Sequence, residues 1–450
     1  MKLLAFLMQT GGHIAGWRHP QAAENALCDL DYFVSAAQTA ERGLFDAVFF
    51  ADSVGYPGSR SADAFAGQEA PKLDPLMLLS ALSVATRNVG LIGTASTTFN
   101  EPYPTARRYA TLDHLSGGRA GWNIVTSTMP NEAHNHSLAQ LPAHADRYRR
   151  AAEFVDVSRN LWDSWSDGAV LSDKTSGKYV DPAGISAIDH AGEFFSVAGP
   201  LNVPRSPQGH PVLVQAGASP DGKAFAARYA DVIFTSHPTI ETALAFRQEM
   251  HDLLAAQGRA KDALKVLPAI TPVIADTREE AQALKAELDA LIPLPIAVNK
   301  LEQLLGGFDL SSADLDRPLP ALPQAYLEGQ NSTRDRVLEV AEKQRPSVRD
   351  LAMQMAAGRT SQSLVGTPQD IADSLAHWYE SGAADGFVIA APVLPVGLER
   401  FVDGVVPLLQ QRGLFRRSYE GKTLRDNLGL PRPERIFDML PDLYRKPEFW

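Results

Sequence analysis

The chain has 450 residues, 45% of them hydrophobic and 21% charged, enough to bury a large core as one elaborated α/β domain or as two smaller ones. A formal net charge of -11 argues against a nucleic-acid partner, because a polyanion needs a basic face. The single cysteine, Cys28, excludes an internal disulfide and any multi-cysteine zinc or iron–sulfur site, and fits a reducing, cytoplasmic setting.

The opening "MKLLAFLMQTGGHIAGWRHP" carries an apolar run too short for a secretory signal, so residues 3–9 read as a first strand. Further short apolar runs follow at 45–52, 89–97, 120–127, 211–219, 231–236, 264–276 and 386–392. Amphipathic stretches such as "DLDYFVSAAQTAERG" and "DPLMLLSALSVATR" lie between them, with apolar residues three and four apart. Near-continuous apolar strands separated by helices predict parallel strands covered on both faces. About eight such units predict a (β/α)8 TIM barrel, with an open doubly wound sheet as the competing topology.

We expect one domain over residues 1–450, with insertions at about 166–211 and 291–366 at the C-terminal face and a tail from about 416. The later insertion is expected to carry a long helix around 336–358 and to serve as a lid. No apolar stretch approaches membrane-spanning length.

In a parallel barrel the ligand end lies at the strand C-termini, and several strands here finish in small or polar residues. "AGWNIVTST" is interrupted by Asn123 and ends in Thr126, Ser127 and Thr128, while other ends carry His13, Asp52, Thr94 to Thr98, and Gly217 to Ser219. Together they describe a mouth suited to hydrogen-bonding a ligand.

In "QAGASPDGKAFAARYAD", Ser219 is a helix N-cap and Pro220 the first helical residue, an arrangement that binds anions. Small Ala216 and Ala218 allow close approach; an ordinary capped helix is the alternative. In "AHADRYRRAAEF", His144 and Tyr148 share a helical face near Arg147, Arg149 and Arg150 and suit a phosphate, unless the face is merely solvated. Asp52, after two phenylalanines, needs a fixed hydrogen-bond partner. His13, after two glycines, is a candidate acid, base or donor, with structural capping as the alternative. His134 and His136 with His144 lack zinc-motif spacing, so no metal is expected. The absence of G-x-S-x-G, Walker A and strand–GxGxxG–helix signatures weakens serine hydrolase, NTPase and bound-nicotinamide readings.

"GGHIAGWRHP", "FDAVFFAD", "STTFNEPYPTARRYATLDHLSGGRAGWNIVTS", "AHADRYRRAAEF", "SPQGHPVLVQAGAS" and "VGTPQDIADSLAHWYESGAADGFVI" resemble the nitrilotriacetate monooxygenase family. These are luciferase-like, reduced-flavin-dependent two-component enzymes whose relatives act on aminopolycarboxylates, long alkanes and dibenzothiophene sulfone. The resemblance covers nearly the whole chain. It implies an FMNH2-dependent monooxygenase, oxygen transfer through a C4a-peroxyflavin, a separate NAD(P)H:FMN reductase as partner, and a homodimer or homotetramer.

By position the resemblance implies Asp52 and Thr94 near the flavin ring, with Ser127 and Thr128 beside it. His144, Tyr148, Ala218 and Ser219 would lie at the phosphate, and His13 between substrate and flavin. Thr128 stands where some relatives carry His or Asn, and residues 291–320 lack the histidine of the alkane-oxidising relative. A deazaflavin-dependent oxidoreductase on the same barrel, a non-catalytic flavin-binding protein and a flavin-free hydrolase are the alternatives.

Overall fold

The computed structural model describes residues 1–24, 26–56, 62–67, 71–217, 219–327, 332–358 and 362–439. Eight parallel strands close on themselves: β1 (Lys2–Phe6), β2 (Ala47–Phe50), β3 (Gly90–Ser96), β4 (Ala120–Val125), β5 (Val212–Ala216), β6 (Val232–Thr235), β7 (Lys265–Ile274) and β8 (Gly386–Ile389). Closure comes from β8 pairing with both β1 and β7, so the sheet is a barrel and the open-sheet alternative falls.

Alternation along each strand feeds two cores. Leu4, Phe49, Ile92, Val212, Val214, Val232, Leu267 and Val388 fill the barrel interior. Their neighbours Leu3, Val48, Leu91, Trp122, Leu213 and Phe387 face outward and pack on the helices. Both faces are buried, which is why these strands read as continuous apolar runs rather than alternating ones.

The main helices are α1 (Leu30–Arg42), α2 (Pro75–Ala85), α3 (Pro102–Ser116), α4 (His144–Asp163), α5 (Pro220–Tyr229), α6 (Ile240–Ala256), α7 (Arg278–Ala290), α8 (Leu294–Leu304), α9 (Ser332–Gln344), α10 (Val348–Gly358), α11 (Pro368–Glu380) and α12 (Leu424–Leu428). Several start on side-chain caps. Asp74 accepts from Leu76 and Met77, and Thr367 and Thr423 form reciprocal capping boxes with aspartates three residues on.

The tail seals one end of the barrel. Leu424, Leu428 and Leu430 join the inner core, and a Cβ on Gly90 would lie 2.5 Å from Leu424 Cδ1, so only glycine lets the plug seat. Arg425 holds the plug by donating to Asp231 Oδ2 at 2.8 Å and to the His210 carbonyl at 3.0 Å. At the other end, Phe49 stacks on Phe6 and lies tilted against Phe234, with ring centroids 4.8 Å apart on each side.

An overlong strand leads into the later insertion. β7 has ten residues; β8 pairs with its middle, and Gln362–Gly366 pairs with Ile270–Ile274. This ninth, off-barrel strand carries β7 beyond the rim, so α7 returns only to rim level and delivers Leu291 there. The insertion that follows has its own apolar cluster of Ile292, Ala297, Leu301, Val337, Val348 and Leu351, shared with Ala15 from the loop after β1. The helix expected around 336–358 is two helices, α9 and α10, because "RPS" separates them and Pro346 disfavours helical backbone in the residue before it. Arg345 has a positive φ of 47°.

The earlier insertion lies elsewhere. It leaves α4 and leads into β5, the connection opposite the mouth. Trp165 Nε1 donates to the Leu201 carbonyl at 2.6 Å and Arg205 Nε to Asp163 Oδ1 at 3.0 Å. Its middle climbs the outside of α4, where Glu153 accepts from His190 Nε2 at 3.0 Å and from the Phe195 N–H at 2.9 Å. No helix among the described residues is long and apolar enough to cross a membrane.

Candidate functional site

The strand ends predicted to form a mouth fall into three groups. The first is between α4 and α5. Ser219, extended at φ -69° and ψ 157°, caps α5 by accepting from the Gly222 N–H at 3.1 Å. His144 Nδ1 lies 3.0 Å from Asp221 Oδ2, and its ring packs on Tyr148 at 4.9 Å. A Cβ on Gly222 would stand 3.1 Å from both Ser219 Oγ and the Tyr148 hydroxyl, so Gly222 keeps open the corner where these two groups meet. Ala218 lies outside the described residues.

The second group is at β3 and β4. Thr94 is buried, donates to the Phe50 carbonyl at 2.9 Å and accepts from Asn123 Nδ2 at 2.8 Å. The interruption of the fourth strand by Asn123 thus ties its inner face to β3 and β2. Ser127 is buried at φ 56° with its hydroxyl 2.9 Å from that of Ser96, while Thr128 is exposed. The only cis peptides among the described residues are Gly199–Pro200 and Leu394–Pro395, both before proline.

Asp52 lies two residues beyond β2, half-buried. Burial pushes its carboxyl above the usual aspartate range, against the pull of the Ser53 N–H and of Lys72. The loop beyond it is held by Glu132, a buried carboxylate that accepts from Val54 N and Met129 N, each at 3.1 Å.

His13 stands apart from these groups. Its loop is laid on the strand-eight turn, with Gly12 N–H donating to the Ala391 carbonyl at 2.7 Å and His13 N–H to the Pro392 carbonyl at 3.1 Å. A Cβ on Gly11 would come within 2.3 Å of the Pro392 oxygen, and its φ is 136°, so the loop needs glycine there. The His13 ring is buried, takes the Ala15 N–H on Nδ1 at 3.2 Å, and meets Asp289 Oδ1 at 3.3 Å through Nε2. Burial raises the Asp289 carboxyl, but hydrogen bonds from His13 and Lys285 outweigh it and hold the group below the usual range.

Sequence reasoning missed Asp221 and Asp289. Both are ordinary exposed-helix acids by pattern, and only the packing of two distant elements turns each into a histidine partner. Among the described residues no group of His, Cys, Asp or Glu could hold a metal ion.

A closed parallel barrel with a capped helix facing a His–Tyr pair at its strand C-termini is an enzyme architecture. The chain matches the luciferase-like monooxygenase family over residues 5–385, and it belongs to that family. It is 45% identical over 436 residues to N-acetyl-S-(2-succino)cysteine monooxygenase of Bacillus subtilis (strain 168), spanning 96% of this chain and 97% of that protein. It is 46% identical over 440 residues to nitrilotriacetate monooxygenase component A of Aminobacter aminovorans, again spanning 96% and 97%. A riboflavin lyase solved with modified FMN and riboflavin superposes with a TM-score of 0.86 at 34% identity, covering 95% of this chain and 96% of that one. The protein is therefore an oxidoreductase of the luciferase-like monooxygenase family.

Proposed function

We propose that this chain is the oxygenase component of a two-component monooxygenase that uses reduced FMN supplied by a separate NAD(P)H:FMN reductase. The observation that carries the reading is the corner between α4 and α5. There the Ser219 hydroxyl, the Tyr148 hydroxyl and the free end of α5 converge on a space that a Cβ at Gly222 would fill. Such a corner fits a phosphate ester, and Phe49, stacked on Phe6 and tilted against Phe234, offers apolar surface for a ring system.

In this reading Ser219, Tyr148, His144 and Ala218 hold the phosphate end, while Asp52, Thr94, Ser127 and Thr128 border the ring. Bound reduced FMN would supply the oxygen chemistry: its two electrons and O2 deliver one oxygen atom to the substrate, the other leaving as water. The protein's part is to orient and to exclude water. Thr94 is locked by Phe50 and Asn123, so its side chain presents a fixed surface. The raised carboxyl of Asp52 suits a group that accepts or shares a proton with a ligand N–H. His13 stands where the cover meets the mouth, and the 291–366 segment closes over the site and keeps water out. The substrate is a small organic molecule, the protein works in the cytoplasm, and the active form is a homo-oligomer.

The test uses purified protein with oxidised FMN, NADH or NADPH, and oxygen. Negligible NAD(P)H oxidation is expected until a flavin reductase is added. Oxygen transfer should then follow with a substrate drawn from a panel of carbon- and sulfur-source compounds. Steady NAD(P)H turnover by this chain alone would overturn the two-component reading.

A further inference from the structure

A cavity of about 380 Å3 lies outside the barrel wall, beside the end of β7. Strand alternation puts it there: Ile274 shares with Ile270 the face of β7 that packs on the helices, whereas Leu267 fills the barrel interior. The floor is apolar, made by Pro272, Ile274, Leu288, Pro392 and Val393, all buried. One wall is α7 and the other is the helix Val396–Arg400, and the segment after β1 closes the space with His19. An apolar body with a few polar groups at its edge, at this volume, is the usual form of a small-molecule site.

The polar edge is unbalanced. Asp276, Glu280 and Glu287 set three carboxylates against one guanidinium, Arg400, which already donates to the Ile274 carbonyl at 3.2 Å. Glu280 is partly occupied in capping α7, where it accepts from the Thr277 N–H at 3.0 Å. The carboxylates of Asp276 and Glu287 have no hydrogen bond among the described residues.

His19 points to a ligand independently of these acids. Its side chain is only 7% exposed. The Gln21 N–H donates to its Nδ1 at 3.2 Å, so the ring proton sits on Nε2. That N–H has no acceptor among the described residues: Glu287 Oε1, the carboxylate oxygen it meets, is 3.7 Å away, beyond hydrogen-bond length. A buried donor left without an acceptor is costly, and a bound oxygen would relieve it.

The three carboxylates repel an anion and suit an ammonium group. Because His19 Nε2 and Glu287 Oε1 are 3.7 Å apart, one ligand meets both only if its ammonium and its oxygen are on neighbouring carbons. We infer that this cavity is a ligand site separate from the mouth, for a small apolar amine with a hydroxyl or carbonyl oxygen on the carbon next to the one bearing nitrogen. The site uses none of the residues assigned to the flavin, so it stands or falls apart from the flavoprotein reading.

The experiment is calorimetric titration of the full chain without flavin. The probe is 2-amino-1-phenylethanol; 2-phenylethylamine is the same body without the oxygen, and 3-phenylpropionate the same body with the charge reversed. The amino alcohol should bind with a Kd of about 1 mM or tighter. Binding of 2-phenylethylamine should be roughly 3- to 10-fold weaker for want of one hydrogen bond. The carboxylate should be weaker by about 10-fold or more. The double variant Asp276→Asn, Glu287→Gln should lose roughly 5- to 10-fold in amino-alcohol affinity. Leu284→Trp, which fills the cavity from α7, should abolish binding, with thermal unfolding of both variants reporting that the fold is intact. No binding of either amine, equal affinity for the two amines or for amine and carboxylate, or full binding in the folded variants would overturn the inference.

Discussion

His13 Nε2 and Asp289 Oδ1 lie 3.3 Å apart, joining the loop after the first strand to the end of α7, immediately before the later insertion. Because the Ala15 N–H must donate to Nδ1, the ring proton sits on Nε2 and is donated to Asp289. Arg18 reinforces the junction by donating to the Leu291 carbonyl.

The carboxyl of Asp289 is held below its ordinary range, so its contribution to stability is present above about pH 4 and is lost as pH falls through the folded value. Asp289→Asn should therefore be destabilising at pH 7, by less than about 1 kcal/mol because the group is a third exposed and solvent screens it. Chemical denaturation at pH 7 and near pH 3 checks this: the difference from wild type should shrink at the lower pH. A constant difference would remove the charge from the explanation.

Replacing His13 by Ala or Phe should lower oxygen transfer more than flavin binding, since it sits beside the cover and not in the α4–α5 corner. Parallel measurement of FMN affinity and single-turnover product yield separates the two. Equal losses would give His13 a purely structural role.

At the proposed phosphate corner, Ser219→Ala and Tyr148→Phe should each weaken FMN binding by roughly 1.5–3 kcal/mol while the fold survives. Ser219→Ala also removes the cap of α5, a separate cost of about 1 kcal/mol that thermal unfolding of the ligand-free protein would report. Unchanged FMN affinity in both variants would place the flavin elsewhere.

At the opposite end of the barrel, Leu424 is fully buried in the inner core. Leu424→Ala should cost about 2–5 kcal/mol with little change in flavin affinity, because the plug and the mouth are at different ends. A loss well under 1 kcal/mol in urea unfolding would mean the tail is not part of the core.

The eight strands were legible in the sequence because each is a short apolar run, and runs without alternation arise only when both faces of a strand are covered. The Ser219–Pro220 cap was legible for a similar reason: a cap is decided by neighbours within four residues. The ninth strand, Gln362–Gly366, was not legible. Its residues are all partly exposed but one, and it exists only because β7 overshoots the rim and offers an edge. The break between α9 and α10 could have been read from Pro346, which the helical pattern on either side obscured.

What tertiary structure alone decided is pairing between residues far apart in the chain. His144 with Asp221 and His13 with Asp289 are separated by 77 and 276 positions, and no local spacing carries either pair. The same holds for Arg147. Three arginines follow His144 within six residues in the sequence; among the described residues, packing brings two of them to carboxylates and leaves the third buried without one. Local chemistry sets which elements form and how they end. Which charge is left unpaired depends on what the folded chain brings beside it.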